Sequence, residues 1–222
     1  TAVAAAHQHL RRAEIRDNVL WLDGEILTSE RVKKLINVAL MECDCVAQHT
    51  IVAGGEQACD PHDEGSGPLP AHRSIIFDVF PRSAETRYFA DMSRTVVRGT
   101  PSPELTRLYH AVKDAQEEAI TKIRDGADGA AIHQGICDRF EKAGYKTGLV
   151  NGRMQGYFHG TGHGVGCFLA VHEGPQSISK AIPDANMAMQ SGMITSIEPG
   201  LYRAGQWGVR IENLVLNVPA PT

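Results

Sequence analysis

Acidic side chains stand inside apolar β-type runs at four places, and this pattern constrains the chain more than any other. Asp78 sits in "IIFDVF", Asp91 in "YFADMS", Glu198 in "ITSIEPG" and Glu212 in "VRIENLVL". An isolated charge taken out of water costs more than the net stability of a domain. Each carboxylate must therefore be paired, protonated or bound to a cation. A single residue of this kind is commonly a buried salt bridge or a capping side chain. Four of them point to a shared cation site.

The turns between these segments bring the acids together. If "PRSAETR" turns the chain as a hairpin, Asp78 comes opposite Asp91; if "RAGQWG" turns near Gly205, Glu198 comes opposite Glu212. Directly opposed side chains share a face with Cβ atoms about 5 Å apart, where like charges repel. Arginine or lysine could lie between them. A pair of divalent cations suits the setting better, because hard cations take oxygen ligands and carboxylates bridge two ions readily. Arg210 precedes Glu212 by two residues and shares its strand face. It is either a bidentate partner for a carboxylate or substrate group, or an edge arginine in water.

Residues 159–166 read "HGTGHGVG". The two histidines have the spacing that places metal ligands on one face of a helix, but the interleaved glycines make a poor helix. His163 can supply a nitrogen ligand beside the four carboxylates. That leaves His159, His172 and His62 for proton handling or substrate contact. His7, His9, His49, His110 and His133 read as surface or packing residues, and His72 has no partner argument.

Helical periodicity covers residues 7–20, 29–43, 102–123 and 128–145, with β-type runs between and after. Helices, strands, helices, strands in that order argue for an α+β fold with a mostly antiparallel sheet. The 222 residues suit one domain of moderate size or two small ones. A net charge of −4 offers no electrostatic case for nucleic acid or an anionic membrane. The 5 cysteines are odd in number and include no Cys-x-x-Cys pair. This argues against a disulfide framework or zinc knuckle and for a reducing compartment. No apolar run approaches the roughly 20 residues that span a bilayer. The opening "TAVAAAHQHLRR" has no basic region ahead of its alanines, so it does not read as a signal peptide. A cytoplasmic location is the expectation.

Taken in order, "FDVF", "ADMSRT", "GTGHGVG", "SIEPGLY" and "VRIENLVL" resemble the pita-bread metallopeptidases. That group includes methionine aminopeptidase, prolidase and aminopeptidase P, with creatinase as a relative. The resemblance covers most of the chain and is strongest over 60–100 and 155–216. "DMSRT" and "RIENLVL" are more similar to the Xaa-Pro branch than to methionine aminopeptidase. The resemblance implies the pita-bread fold, a curved, mostly antiparallel sheet flanked by helices. Residues 1–222 would form a single catalytic domain, with no separate N-terminal domain in this chain.

It further implies two divalent metal ions, manganese first, with cobalt, iron or zinc as alternatives. Asp78, Asp91, His163, Glu198 and Glu212 would be the ligands, with Asp91 and Glu212 bridging. Glu198 would serve as general base, and His172 would stabilise the oxyanion. His62 would bond the substrate near the scissile amide. His159 would line the pocket for the residue after the cut, and Arg210 matches an arginine of the proline-specific branch. The gaps from Asp78 to Asp91 and from His163 to His172 are longer than the family pattern. The implied activity is hydrolysis of the N-terminal bond of a peptide with a free N-terminus, of Xaa-Pro type. Methionine aminopeptidase, a creatinase-like C–N hydrolase and a non-catalytic peptide- or protein-binding member are the alternatives. Neither nucleic acid nor membrane is an expected partner, and a homodimer is the assembly considered.

Overall fold

The computed structural model describes residues 2–180 and 188–219. Its first helix, α1 (Ala2–Arg12), is shorter than the periodicity over 7–20 suggests. The remainder of that stretch is a hairpin of β1 (Glu14–Arg16) and β2 (Val19–Leu22), with Arg16 opposite Val19. Asp17 and Asn18 form the two-residue turn, with φ of 50° and 61°. Left-handed backbone at both positions matches the twist of a tight hairpin, and Asp and Asn tolerate it. The strand β3 (Glu25–Ile26) completes this small sheet.

The helix α2 (Ser29–Met41) starts at Thr28, whose side chain accepts from the Arg31 amide, and buries Val32, Ile36 and Leu40 on one stripe. Short β4 (Cys45–Val46) is followed by β5 (Ile51–Gly54), β6 (Ile75–Val79), β7 (Arg82–Ser83) and β8 (Met92–Val96). Next come α3 (Pro103–Lys122), capped by the Ser102 hydroxyl, and α4 (Gly129–Lys142), capped by Asp128. The last part holds β9 (Gly148–Val150), β10 (Arg153–Gly156), β11 (Gly162–Val165), β12 (His172–Ile178), β13 (Ile194–Ile197), β14 (Gly200–Arg203), β15 (Trp207–Arg210) and β16 (Asn213–Leu216).

Strand order is β5-β6-β8, β12-β11-β13-β16 and β15-β14-β10-β9 in the three sheets around the site. Every one of these pairings is antiparallel, as expected. Among the described residues two large apolar cores form, with a small cluster of Ala58, Ile76 and Tyr202 beside them. One packs α1 and α2 against β2, β5 and β6 through Leu10, Leu20, Ile36 and Phe77. The other packs α3 and α4 against β13 to β15 through Leu108, Val112, Phe140, Ile197 and Val209. Each of these side chains contributes about 1.5–3 kcal/mol on burial.

The cores meet where β8 runs beside β15 and β16. Thr95 Oγ1 donates to the Arg210 carbonyl and accepts from its amide, and Arg94 donates to Glu212 O and Asn213 Oδ1.

The two acidic hairpins differ in how well their register follows from the turns. Ile197 pairs with Asn213 and Gly200 with Arg210, so Glu198 and Glu212 face each other across a hairpin centred on Gly205, as expected. In the first hairpin Asp78 pairs with Ser93, not Asp91. Asp91 lies two residues further out on the same face, diagonal to Asp78. The expected opposition fails because the turn is not a simple loop. Its arm β7 pairs with β4, and Arg82 bridges Phe89. The tip then docks on the β11–β12 turn: the Phe89 amide donates to Gly166 O, the Phe168 amide donates to Arg87 O, and Tyr88 bridges Cys167. The two lengthened gaps are thus taken up against each other.

Candidate metal centre

Residues from five places in the chain line one cleft. Asp78 comes from β6, Asp91 from the residue ahead of β8, His163 from β11, Glu198 from the end of β13, and Glu212 from the link between β15 and β16. Three overlapping trios have ligand atoms all within 4.8 Å of one another: Asp78, Asp91 and Glu212; His163, Glu198 and Glu212; and Asp91, His163 and His172. All five expected ligands belong to at least one trio, and His172 joins them. The cleft has a volume of about 480 Å³.

The glycines around His163 have a packing reason. A Cβ at Gly162 would lie 1.9 Å from the Ser196 carbonyl oxygen, and one at Gly164 would lie 2.1 Å from that of Glu173. The strand β11 is squeezed between β12 and β13, and only hydrogen fits. His163 Nδ1 lies 2.9 Å from the Gly164 carbonyl. A carbonyl only accepts, so Nδ1 carries the proton and Nε2 presents its lone pair to the cleft. That lone pair faces Glu198 Oε1 at 3.3 Å and Asp91 Oδ2 at 3.5 Å. Such an arrangement requires a proton or a cation between the atoms.

Arg210 is buried and forks. Its Nη2 donates to Asp78 Oδ2 at 2.7 Å, its Nε to Ser93 Oγ at 3.0 Å and its Nη1 to the Tyr202 hydroxyl at 2.9 Å. The reading of an edge arginine in water is excluded. Ser93 passes its own proton to Glu212 Oε2 at 3.0 Å. Tyr202 lies 2.9 Å from His159 Nε2, while His159 Nδ1 donates to Gly160 O at 2.8 Å. The His159 tautomer is therefore fixed, and Nε2 accepts from Tyr202. The exposed rings of His62 and His172 complete the lining, and the His172 centroid lies 4.1 Å from that of His163.

Charge is strongly unbalanced. Setting aside Glu64, which pairs with His49 at the rim, the four carboxylates Asp78, Asp91, Glu198 and Glu212 face the one guanidinium of Arg210 and leave a surplus of three when all are ionised. Burial raises the Glu198 carboxyl to about 7, although His163 and Arg210 oppose it. Burial, then Glu198 and Asp91, push Glu212 well above the usual carboxylate range. Asp78 is also raised by burial, with Arg210 pulling the other way. Burial lowers the His163 imidazolium, but Asp91 and Glu198 outweigh it and the net shift is upward. Burial and the Arg210 charge bring His159 down to about 3.

The residues fit a pair of divalent cations. Asp78 Oδ1 and Glu212 Oε1 are buried with no hydrogen-bond partner in the protein. Orphaned carboxylate oxygens in a negative pocket are what hard cations require.

Sequence reasoning missed Ser93, Tyr202 and His49. Ser93 lies two residues beyond Asp91 on the same face, and Tyr202 follows Glu198 in "EPGLY". Alternation along a strand could have found both. His49 lines the cleft, paired with Glu64 at 2.7 Å, and no local signal marks it.

The model of metallopeptidase family M24 matches residues 1–218. A Xaa-Pro dipeptidase of Lactobacillus helveticus is 33% identical over 168 residues, covering 74% of this chain and 40% of that protein. The prolidase of Pyrococcus furiosus superposes with a TM-score of 0.79 at 26% identity, over 98% of this chain and 57% of that one. The X-prolyl aminopeptidase of Caenorhabditis elegans, described as a cytosolic enzyme with a di-nuclear active site, superposes at 0.71 and 26% identity, over 89% and 31%. The chain thus spans about two fifths of the length of the curated relative it matches.

Proposed function

The chain belongs to metallopeptidase family M24 and has its pita-bread fold, and from this we propose that it is a dinuclear metal-dependent exopeptidase cleaving the N-terminal bond of Xaa-Pro peptides. Residues 1–222 would act as one catalytic unit. The observation that carries the proposal is the intact donor set, with unpartnered Asp78 and Glu212 oxygens and the bare His163 Nε2 turned into one cleft. Asp78, Asp91, His163, Glu198 and Glu212 would hold the cations, with manganese the first candidate. Bound there, they would polarise the scissile carbonyl and make water acidic enough to attack near neutral pH.

The protein groups divide the remaining work. Glu198 takes the proton of the attacking water and returns it to the leaving imino nitrogen. Its Oε1 lies 3.3 Å from His163 Nε2 on the cleft wall, within reach of a water held among the candidate ligands. His172, beside His163, faces the oxygen that gains charge. His62 approaches the substrate near the scissile amide from the opposite loop. The His159 ring, held neutral and fixed by Tyr202, packs on the residue after the cut. Free cysteines at all five positions suit a cytoplasmic setting. Among the described residues no helix is long and apolar enough to cross a membrane.

A panel of Xaa-Pro dipeptides, longer Xaa-Pro peptides and Met-initiated peptides with added Mn²⁺ or Co²⁺ tests the reading. Cleavage of dipeptides alone indicates prolidase activity, cleavage of longer peptides aminopeptidase P activity, and removal of Met alone overturns the Xaa-Pro assignment. Glu198→Gln should lower kcat by about 10²–10⁴-fold while metal stays bound. Unchanged turnover removes Glu198 from the role of base.

A further inference from the structure

Behind the cleft, four side chains form a hydrogen-bonded line that reaches from α4 to β11. His133 stands on α4 and is buried, as are Thr161 and Tyr157. The first turn of the helix fixes its approach: a Cβ at Gly129 would lie 2.0 Å from the Ser177 carbonyl oxygen, so α4 presses on β12 there. His133 follows one turn later on the same face. Its Nδ1 lies 2.9 Å from Thr161 Oγ1, and its Nε2 lies 3.5 Å from Cys137 Sγ. Thr161 Oγ1 also meets the Tyr157 hydroxyl. These four side chains belong neither to the candidate ligands nor to the cleft lining.

The protons along this line have one consistent arrangement. Among the described residues the Tyr157 hydroxyl has Thr161 Oγ1 as its single hydrogen-bond partner, so its proton goes there. The Thr161 hydroxyl then donates to His133 Nδ1. Nδ1 is therefore the acceptor, and Nε2–H donates to the Cys137 sulfur. The reverse direction would leave a buried phenol proton unpaired. Burial, with the Lys180 charge adding to it, lowers the His133 imidazolium, which keeps the ring neutral near pH 7.

Thr161 is where the line meets the site. It lies between His159 and His163, and its amide donates to Ile178 O at 2.6 Å. Its carbonyl accepts from the Glu198 amide at 2.7 Å, so the backbone of the proposed base is tied to it. A satisfied polar network adds little stability over apolar groups of the same shape. It does fix distances, which non-directional apolar contact does not. Resting on the peptidase reading above, we propose that His133 is a positioning residue. Through the Thr161 hydroxyl it sets the Thr161 carbonyl, and thereby the Glu198 carboxylate, against the attacking water. A displacement of about 1 Å in such a group costs about 10²-fold in rate.

The test uses the Mn²⁺-loaded protein on the Xaa-Pro peptide it cleaves best. Thr161→Val, which keeps the shape and removes the hydroxyl, and His133→Leu should each lower kcat by about ten- to hundredfold with KM within about twofold. Thr161→Ser, which keeps the hydroxyl, should stay within about threefold of the parent. The double variant Thr161→Val/His133→Leu should fall no further than the lower single one, as members of one unit do. A second readout needs neither metal nor turnover. Nitrogen NMR of ¹⁵N-histidine-labelled, metal-free protein should show His133 protonated at Nε2 with Nδ1 accepting, and Thr161→Val should remove the bond at Nδ1. Parent-like kcat in both single variants, effects that multiply in the double variant, or a His133 protonated at Nδ1 overturns the positioning role and leaves the peptidase reading standing. A parent that cleaves no peptide, with His133 protonated at Nε2, overturns that reading and the role of His133 with it.

Discussion

Arg210 touches Asp78, Ser93 and Tyr202 at once, and through the last two it reaches Glu212 and His159. A lysine offers one compact charge where the guanidinium offers a fork, so it cannot replace these contacts. Arg210→Met leaves a buried carboxylate without its cation and should cost about 3–5 kcal/mol in urea unfolding of the metal-free protein. A loss below about 1 kcal/mol would show that Asp78 is held by other means.

His159 carries a pH signature. Its folded-state value is about 3, against 6.5 for the ordinary side chain. The unfolded chain therefore binds the proton first, and the stabilisation present above pH 6.5 is lost as pH falls toward 3. His159→Gln should remove this term. Between pH 7 and 5 the parent should lose about 2 kcal/mol more than the variant, at 1.36 kcal/mol per unit. Equal slopes in urea titrations at the two pH values would contradict the assignment. At this scale the four carboxylates of the candidate site were legible, because a carboxylate in an apolar strand is costly wherever it falls. Ser93 and Tyr202 were less visible, since a serine or tyrosine in a strand carries no such cost. His49 was invisible, because its place depends on the long-range path of the chain.

Elements place these side chains by register, and the two hairpins show what local sequence can settle. Glu198 and Glu212 could be paired in advance because Gly205 centres a short turn between them. Asp78 and Asp91 could not, because the longer turn stores residues in a strand arm that pairs with β4. Periodicity alone also ran α1 through Ala13 into β1, where only the Asp17-Asn18 turn marks the break. The alternating glycines of β11 belong to the same scale. Gly162→Ala would drive β11 off β13, since the added carbon meets the Ser196 carbonyl. A loss of about 1–3 kcal/mol in unfolding experiments is expected, together with weakened Mn²⁺ affinity by calorimetry. Parent-like affinity would mean that His163 is not positioned by this contact.

For the whole molecule, cation binding and folding are linked. Surplus negative charge in one cleft opposes the folded state until it is protonated or bound by metal. Added Mn²⁺ should raise Tm, and a concentration near 100 times Kd corresponds to about 2.7 kcal/mol. Burial raises Glu198, Glu212 and Asp78, so protons compete with the ion for these oxygens. The Tm increment should therefore be larger at pH 7.5 than at pH 5.5, and an equal or reversed increment would argue against carboxylate ligation.

The division into two apolar cores has a kinetic consequence. Asp78 and Asp91 ride on elements that follow the first core, while His163, Glu198 and Glu212 ride on those around the second. The second core is itself closed over long separations, since Gln116 on α3 donates to the Ile197 and Ile211 carbonyls across 81 and 95 residues. The contact from Ser93 to Glu212 closes a span of 119 residues, the kind of closure that slows folding. Assembly of the cleft therefore waits on closures of this length. An ion held across this boundary would act as a brake on unfolding.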